Sequence, residues 1–182
     1  MKLEKDMKFN LTKETDKLNI VKAVLGWNTP ENVYPAYDLD VSCFLLDDNS
    51  KLLDELGFIF YNNEKSVDGS VQKSPDELSG GTEELIINIG KLSPTIKEIS
   101  IIVTIHKAKE RNQNFGKVKD SYIDLYNHET NEKIASFQLD RIAPENTAIQ
   151  VGSFFNTPDG FIFQPVGAGS IGTLGDFLEA YK

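Results

Sequence analysis

Short runs of alternating apolar and polar residues set the strongest limit on how this chain folds. They repeat every two residues, the period at which successive side chains of a β-strand point to opposite faces. The runs are rich in β-branched and aromatic residues, and Gly, Pro, Asn or Asp separate them. The alternation predicts strands at Phe9–Leu11, Ile20–Trp27, Asp38–Leu46, Gly57–Tyr61, Glu84–Ile89, Glu98–His106, Ser121–Asn127, Lys133–Leu139, Ala148–Phe155 and Phe161–Val166.

Many short strands separated by turn signals are typical of an antiparallel β-sandwich of two packed sheets, and 182 residues suit a single domain, 1–182. The segment from Thr157 to Gly160 predicts a hairpin. One segment instead has apolar residues at helical spacing, namely Leu174, Phe177, Leu178 and Tyr181. This spacing predicts a short C-terminal helix that covers a sheet edge or the open end of the sandwich. We expect a further helical turn within Lys107–Gln113.

The net charge of the chain lies in one window, from Asp38 to Glu84. This window, hereafter the acidic window, holds 12 acids and 3 lysines, for a net charge of −9. The other 16 acids are balanced by 16 bases. Like charge at this density must be dispersed into water or neutralised by a cation, and oxygen ligands favour a hard cation such as Ca²⁺.

Composition excludes several classes of function. An acidic chain without a basic stripe is not expected to bind nucleic acid, which requires clustered Lys and Arg. No run approaches the roughly 18–20 apolar residues of a membrane span, so we expect no membrane insertion. The charged N-terminus lacks the apolar stretch of a secretory signal, and a single cysteine, Cys43, excludes an intrachain disulfide. These features favour a cytoplasmic protein.

Asp38 and Asp40 begin a strand whose alternate residues are apolar, so both carboxylates point the same way, roughly 6–7 Å apart. Their repulsion is about 2–3 kcal/mol at an effective dielectric constant of 20, and a divalent cation would reverse it. Two solvated acids at the start of a strand are the simpler interpretation. Asn62-Asn63 and Asp68-Gly69 offer further oxygen ligands, but both pairs are also ordinary turn residues. Asp76, Glu83 and Glu84 follow beside a Gly-Gly loop.

At these residues the chain resembles the TerD family of tellurium-resistance and stress-response proteins. The similarity runs in order along nearly the whole length. Its elements are Phe9-Asn10-Leu11-Thr12-Lys13, Leu25-Gly26-Trp27, Tyr37-Asp38-Leu39-Asp40, Phe58-Ile59-Phe60-Tyr61-Asn62-Asn63, Ser66-Val67-Asp68-Gly69-Ser70-Val71, Ile105-His106 with Phe115-Gly116-Lys117-Val118, Asn146-Thr147-Ala148 and Val166-Gly167-Ala168-Gly169.

The resemblance implies a β-sandwich that binds Ca²⁺ through its acidic loops and has no catalytic residues. Carried over by position, the metal ligands are Asp38, Asp40, Asn62, Asn63, Asp68, Gly69 through its carbonyl, Asp76 and Glu83. Two departures weaken the match. Asn28 stands where the family usually has Asp, and the loop from Asp76 to Glu84 is short and lacks an Asp-Asp pair. We expect at least one calcium site.

Other residues have simpler explanations. His106 ends an apolar strand, and a hydrogen-bonded structural histidine is the favoured interpretation. Cys43 faces the core by strand parity, and a buried thiol is a poor nucleophile, so a direct reduction of tellurite by this chain is not expected. Lys107–Lys119 holds five bases and one acid, which favours a solvated face over a docking site for an acidic partner.

The favoured hypothesis is a cytoplasmic, non-enzymatic calcium-binding module in a stress-response assembly, with other stress-response proteins as partners. One alternative is a metal-dependent hydrolase that uses the same acids, which would require open coordination positions and an oriented water. Another is a structural or assembly protein with no bound ion.

Overall fold

The alternating strands divide their side chains between the interior of a sandwich and its two outer surfaces. The structure is a computed structural model that describes residues 1–74, 81–139 and 144–182. In these ranges the strands form a six-stranded and a five-stranded sheet, and all pairings between named strands are antiparallel. The predicted mainly β, antiparallel sandwich is confirmed.

The six-stranded sheet has the order β1-β11-β10-β7-β3-β4. Its strands are β1 (Phe9–Asn10), β3 (Leu39–Leu46), β4 (Phe58–Ile59), β7 (Glu98–Ile105), β10 (Ala148–Thr157) and β11 (Gly160–Ser170). Thr157 pairs with Gly160 at the β10–β11 turn, which confirms the predicted hairpin.

The five-stranded sheet has the order β5-β6-β2-β8-β9. Its strands are β2 (Ile20–Asn28), β5 (Val71–Lys73), β6 (Thr82–Asn88), β8 (Lys119–Asn127) and β9 (Lys133–Gln138). The helices are α1 (Leu11–Glu14), α2 (Ala108–Arg111) and α3 (Leu174–Tyr181), and short 3-10 turns occur at Glu55–Gly57, Ile89–Lys91 and Phe115–Lys117. The helical turn expected within Lys107–Gln113 is therefore present as α2.

Helix α3 packs on the outer face of the six-stranded sheet. Phe44, Leu46 and Ile102 alternate with core residues of β3 and β7, so these strands are apolar on both faces. Phe177 and Tyr181 are among the helix residues that cover this second face. The helix was expected at a sheet edge or at the open end of the sandwich, and that placement was wrong. The outer face needed cover because its side chains are as apolar as those of the core.

Strands β1 and β4 are shorter than predicted because turns begin inside the predicted ranges. The side chain of Asn10 accepts a hydrogen bond from Lys13 N, so the chain turns into α1 one residue before the predicted strand end. Strand β4 ends at Ile59 because Phe60 and Asn63 exchange backbone hydrogen bonds of 3.0 and 2.9 Å, which close a tight turn.

The four sheet edges are short or covered. Strands β1, β4 and β5 are edge strands of two or three residues. The fourth edge, β9, is covered by the N-terminal segment, in which Leu3 N donates to Ser136 O and Ser136 N donates to Met1 O.

Within the described residues, no helix has the length and apolar character needed to cross a membrane.

We predict that Tyr181→Ala lowers the free energy of unfolding by about 2–3 kcal/mol, measured by urea denaturation. The Tyr181 ring lies 4.9 Å from the Phe44 ring, and its hydroxyl is 2.9 Å from Ser100 Oγ. Glu179→Ala is the control on the same helix, because its side chain is exposed, and it should change stability by less than about 0.5 kcal/mol. Equal effects of the two variants would contradict the packing described for α3.

Candidate metal centre

Asp38 and Asp40 lie beside basic side chains at the start of β3. The closest approach of Asp38 Oδ2 to Arg111 Nη1 is 3.8 Å, and that of Asp40 Oδ2 to His106 Nδ1 is 3.7 Å. The side chain of Asp38 is 49% exposed and that of Asp40 is 15% exposed. An ion pair of this length at a surface is weak, so the half-exposed Asp38 remains able to bind another cation, whereas Asp40 is largely buried.

Asn62 and Asn63 form the turn that follows β4. The side-chain nitrogen Nδ2 of Asn63 donates to the carbonyl oxygens of Phe58 at 2.7 Å and Leu56 at 3.2 Å. These bonds tie the turn to the preceding 3-10 turn. The structure therefore gives Asn63 a role in local folding, while Asn62 is exposed.

Asp68 organises the loop before β5. Its Oδ1 accepts hydrogen bonds from Ser66 Oγ at 2.7 Å, Ser70 Oγ at 2.6 Å and Ser70 N at 2.9 Å, and its Oδ2 accepts one from Ser93 N at 3.1 Å. Gly69 has a φ of +68°, a conformation that glycine adopts without strain. Burial acts to raise the pKa of Asp68, but the hydrogen bonds from Ser70, Ser66 and Ser93 outweigh it and lower the pKa below its ordinary value.

Glu83 is buried between the two sheets. It lies on β6 of the five-stranded sheet, and its Oε2 accepts a hydrogen bond of 2.9 Å from Val41 N on β3 of the other sheet. The same oxygen is 3.4 Å from Lys73 Nζ, and Lys73 is 1% exposed. The negative charge of Glu83 is thus compensated by an ammonium group of the protein itself.

The predicted ligands are therefore divided among separate local arrangements. Within residues 1–74, 81–139 and 144–182, no three His, Cys, Asp or Glu side chains are grouped so that they would hold a metal ion. Asp76 lies outside the described residues. Calcium requires about six to eight oxygen ligands, so the described acids do not make a complete coordination sphere on their own. The eight-residue ligand set stays a prediction.

Sequence reasoning missed Lys73 and Asp120. Asp120 accepts a hydrogen bond of 2.9 Å from Asn28 Nδ2, beside a polar depression of about 410 Å³ that Trp27 and Gly81 also line. Alternation along the sequence could not identify either residue. It does not predict a lysine in the core, nor which residues meet on paired strands that are far apart in sequence, such as β2 and β8.

The single cysteine lies in the core. Cys43 is 0% exposed, and burial raises the pKa of its thiol to about 12, although the nearby Lys73 charge acts in the opposite direction. At neutral pH this thiol is protonated and shielded from solvent, and both conditions oppose reaction with an oxidant.

Comparison with known proteins identifies the family. The sequence model of the TerD domain matches residues 1–181. The chain belongs to the TerD family. It is 36% identical to General stress protein 16U of Bacillus subtilis (strain 168), over 98% of this chain and 95% of that protein. It is 34% identical to Tellurium resistance protein TerD of an Alcaligenes species, with the same shares covered.

A solved structure supports the TerD fold independently. A homologue of the telluride resistance protein TerD from Streptomyces coelicolor A3(2) superposes with a TM-score of 0.69 at 20% identity. The match covers 88% of this chain and 95% of the other. At this level of identity the similarity concerns the fold.

We predict that Asp68→Ala lowers the free energy of unfolding by about 1–2 kcal/mol at pH 7. Four hydrogen bonds in the interior would contribute more, but the Asp68 carboxylate is exposed and solvent weakens them. The pKa of Asp68 is lowered on folding, so its contribution is present above the unfolded pKa of about 3.9 and is lost as pH falls through the folded pKa. Urea denaturation from pH 7 to pH 2.5 should therefore show the wild type and the variant converging in stability below about pH 4. Glu64→Ala, an exposed acid of the same window, is the control. A pH-independent difference would contradict this assignment.

Proposed function

We propose that this protein is a non-enzymatic, calcium-binding member of the TerD family that acts in the cytoplasm, in a tellurite or general stress response, through contacts with other stress-response proteins. Two relatives are named for tellurium resistance and for general stress. The observation that carries the calcium part is the net charge of −9 in the acidic window. A folded domain keeps such a concentration of charge only with solvent or a cation to offset it.

Asp38 and Asp40 are the described acids best suited to take part in binding. Asp38 is half exposed and lies 3.8 Å from Arg111, and Asp40, which is 15% exposed, lies 3.7 Å from His106. Asp68 is instead held by hydrogen bonds of 2.6–3.1 Å, and Glu83 is held between the sheets. We therefore propose a single calcium ion near the start of β3. When bound, it would supply the positive charge that the acidic window lacks.

The burial of the single cysteine favours an indirect role over direct thiol chemistry. Cys43 is buried and protonated at neutral pH, which supports an indirect part in tellurite tolerance. A groove of about 750 Å³ lies beside Asp40 and His106, and its lining also includes Thr104, Thr147 and Thr173. The hydrolase alternative would need a metal-bound water in this groove.

We predict that calorimetric titration of chelator-stripped protein gives one Ca²⁺ per chain and little heat with Mg²⁺. Asp38→Asn and Asp40→Asn should each weaken binding at least about tenfold, because calcium affinity depends on the number of charged ligands. Asp48→Asn removes one exposed charge from the same window and should leave the affinity nearly unchanged.

Other outcomes would change the proposal. Stronger binding of Mg²⁺ than of Ca²⁺ would favour the hydrolase. No heat with either metal would favour the metal-free structural protein.

We further predict that Cys43→Ala preserves whatever tellurite tolerance the wild-type gene confers on a sensitive bacterial host, provided that both proteins reach equal abundance. In the purified wild type, a thiol reagent should modify Cys43 only as fast as the protein unfolds, and immediately in denaturant, because the side chain is 0% exposed. Loss of tolerance at equal abundance would establish that the thiol takes part.

A further inference from the structure

The buried ion pair of Lys73 and Glu83 occupies a place where the family resemblance implies a metal ligand. Glu83 is one of the eight predicted calcium ligands, yet Lys73 Nζ lies 3.4 Å from its Oε2. The two residues are 1% and 6% exposed. We propose that the Lys73 ammonium is a built-in cation that neutralises Glu83 in place of a metal ion, so that Glu83 is not a calcium ligand in this protein.

Electrostatics argues against a metal ion at Glu83 while Lys73 is in place. A calcium ion bound to Oε2 at 2.3–2.6 Å would lie within about 6 Å of the ammonium nitrogen. A divalent and a monovalent cation at that distance repel strongly in a buried environment. Binding would require Lys73 to leave the interior, and its backbone is fixed there by a hydrogen bond of 2.8 Å from Lys73 N to Glu64 O.

The carboxylate of this pair also connects the two sheets. Lys73 ends β5, the edge strand of the five-stranded sheet, where it pairs with Leu85 of β6. Glu83 reaches across to Val41 N on β3 of the six-stranded sheet. Strand β4 pairs with β3 at Cys43 and Phe44, beyond this point, so the carboxylate takes the N–H that a longer β4 would use. The link between the sheets is therefore a hydrogen bond from a backbone N–H to a carboxylate whose charge is offset by Lys73 on the neighbouring strand.

Removal of the Lys73 ammonium alone takes a compensating charge away from a buried carboxylate, whereas removal of both charges does not create this imbalance. Met has nearly the length of the Lys stem, and Gln keeps a carbonyl oxygen for Val41 N. In buffer with excess chelator, we expect Lys73→Met to lower the melting temperature by about 10 °C, and Lys73→Met/Glu83→Gln to recover at least half of that loss. Lys65→Met, an exposed lysine of the same window, should shift it by less than about 2 °C.

Calcium provides the second arm of the test. Millimolar Ca²⁺ should raise the melting temperature of Lys73→Met by several degrees more than that of the wild type, and this excess should vanish in the double variant. Glu83→Gln should bind Ca²⁺ with wild-type affinity and stoichiometry.

Three results would overturn the proposal. They are a loss of calcium binding in Glu83→Gln, a double variant no more stable than Lys73→Met, and an effect of Lys73→Met no larger than that of Lys65→Met. If Lys73→Met does not fold, Glu83→Gln and the double variant still decide the question. Failure of the wild type to bind Ca²⁺ would refute the proposed function alone, because the chelator experiment contains no metal.

Discussion

The contacts of Glu83 with Lys73 and Val41 hold together the side of the sandwich where the edge strands β4 and β5 meet. On that side the edge strands β4 and β5 have only two and three residues. A buried ion pair contributes little net stability compared with apolar residues of the same volume, but breaking it by removal of one partner is costly. The pair therefore acts chiefly as a constraint on the five-stranded sheet: arrangements of β5 and β6 that separate Lys73 from Glu83 are disfavoured. The hydrogen bond from Val41 N to Glu83 connects this pair to the other sheet.

The acidic window shows that charge density and a metal site are different properties. All of its acids carry negative charge, yet their side chains make different contacts in the structure. Asp68 accepts hydrogen bonds that shape a loop, and the charge of Glu83 is offset by Lys73. Asp38 is half exposed beside Arg111, and Asp40 is largely buried beside His106. Composition alone predicts a need for cations. Only the three-dimensional arrangement distinguishes a cation supplied by the protein from one taken from solution.

The parts of the fold that follow from local periodicity were predictable. The long strands and helix α3 appear as apolar patterns with periods of two and 3.6 residues. The hairpin at Thr157–Gly160 appears as a cluster of turn residues. Strand β5 was missed because three residues are too few to show a period, and because its last residue, Lys73, is a charged group in the core. The meeting of Glu83 with Val41 was equally hidden, since it depends on how two sheets align and not on either segment. Sequence therefore indicated which residues are acidic and in which loops they lie, but not which oxygens are already engaged.

The treatment of the sheet edges has a consequence for the behaviour of the protein at high concentration. Exposed strand edges are templates for pairing with another chain, and proteins blunt them with short strands, inward-pointing charges or covering segments. Within the described residues all of these devices occur: β1, β4 and β5 are very short, Lys73 points inward from β5, and Met1 to Leu3 cover β9. The sandwich thereby resists growth into intermolecular sheets, so we expect the protein to stay dispersed at high concentration.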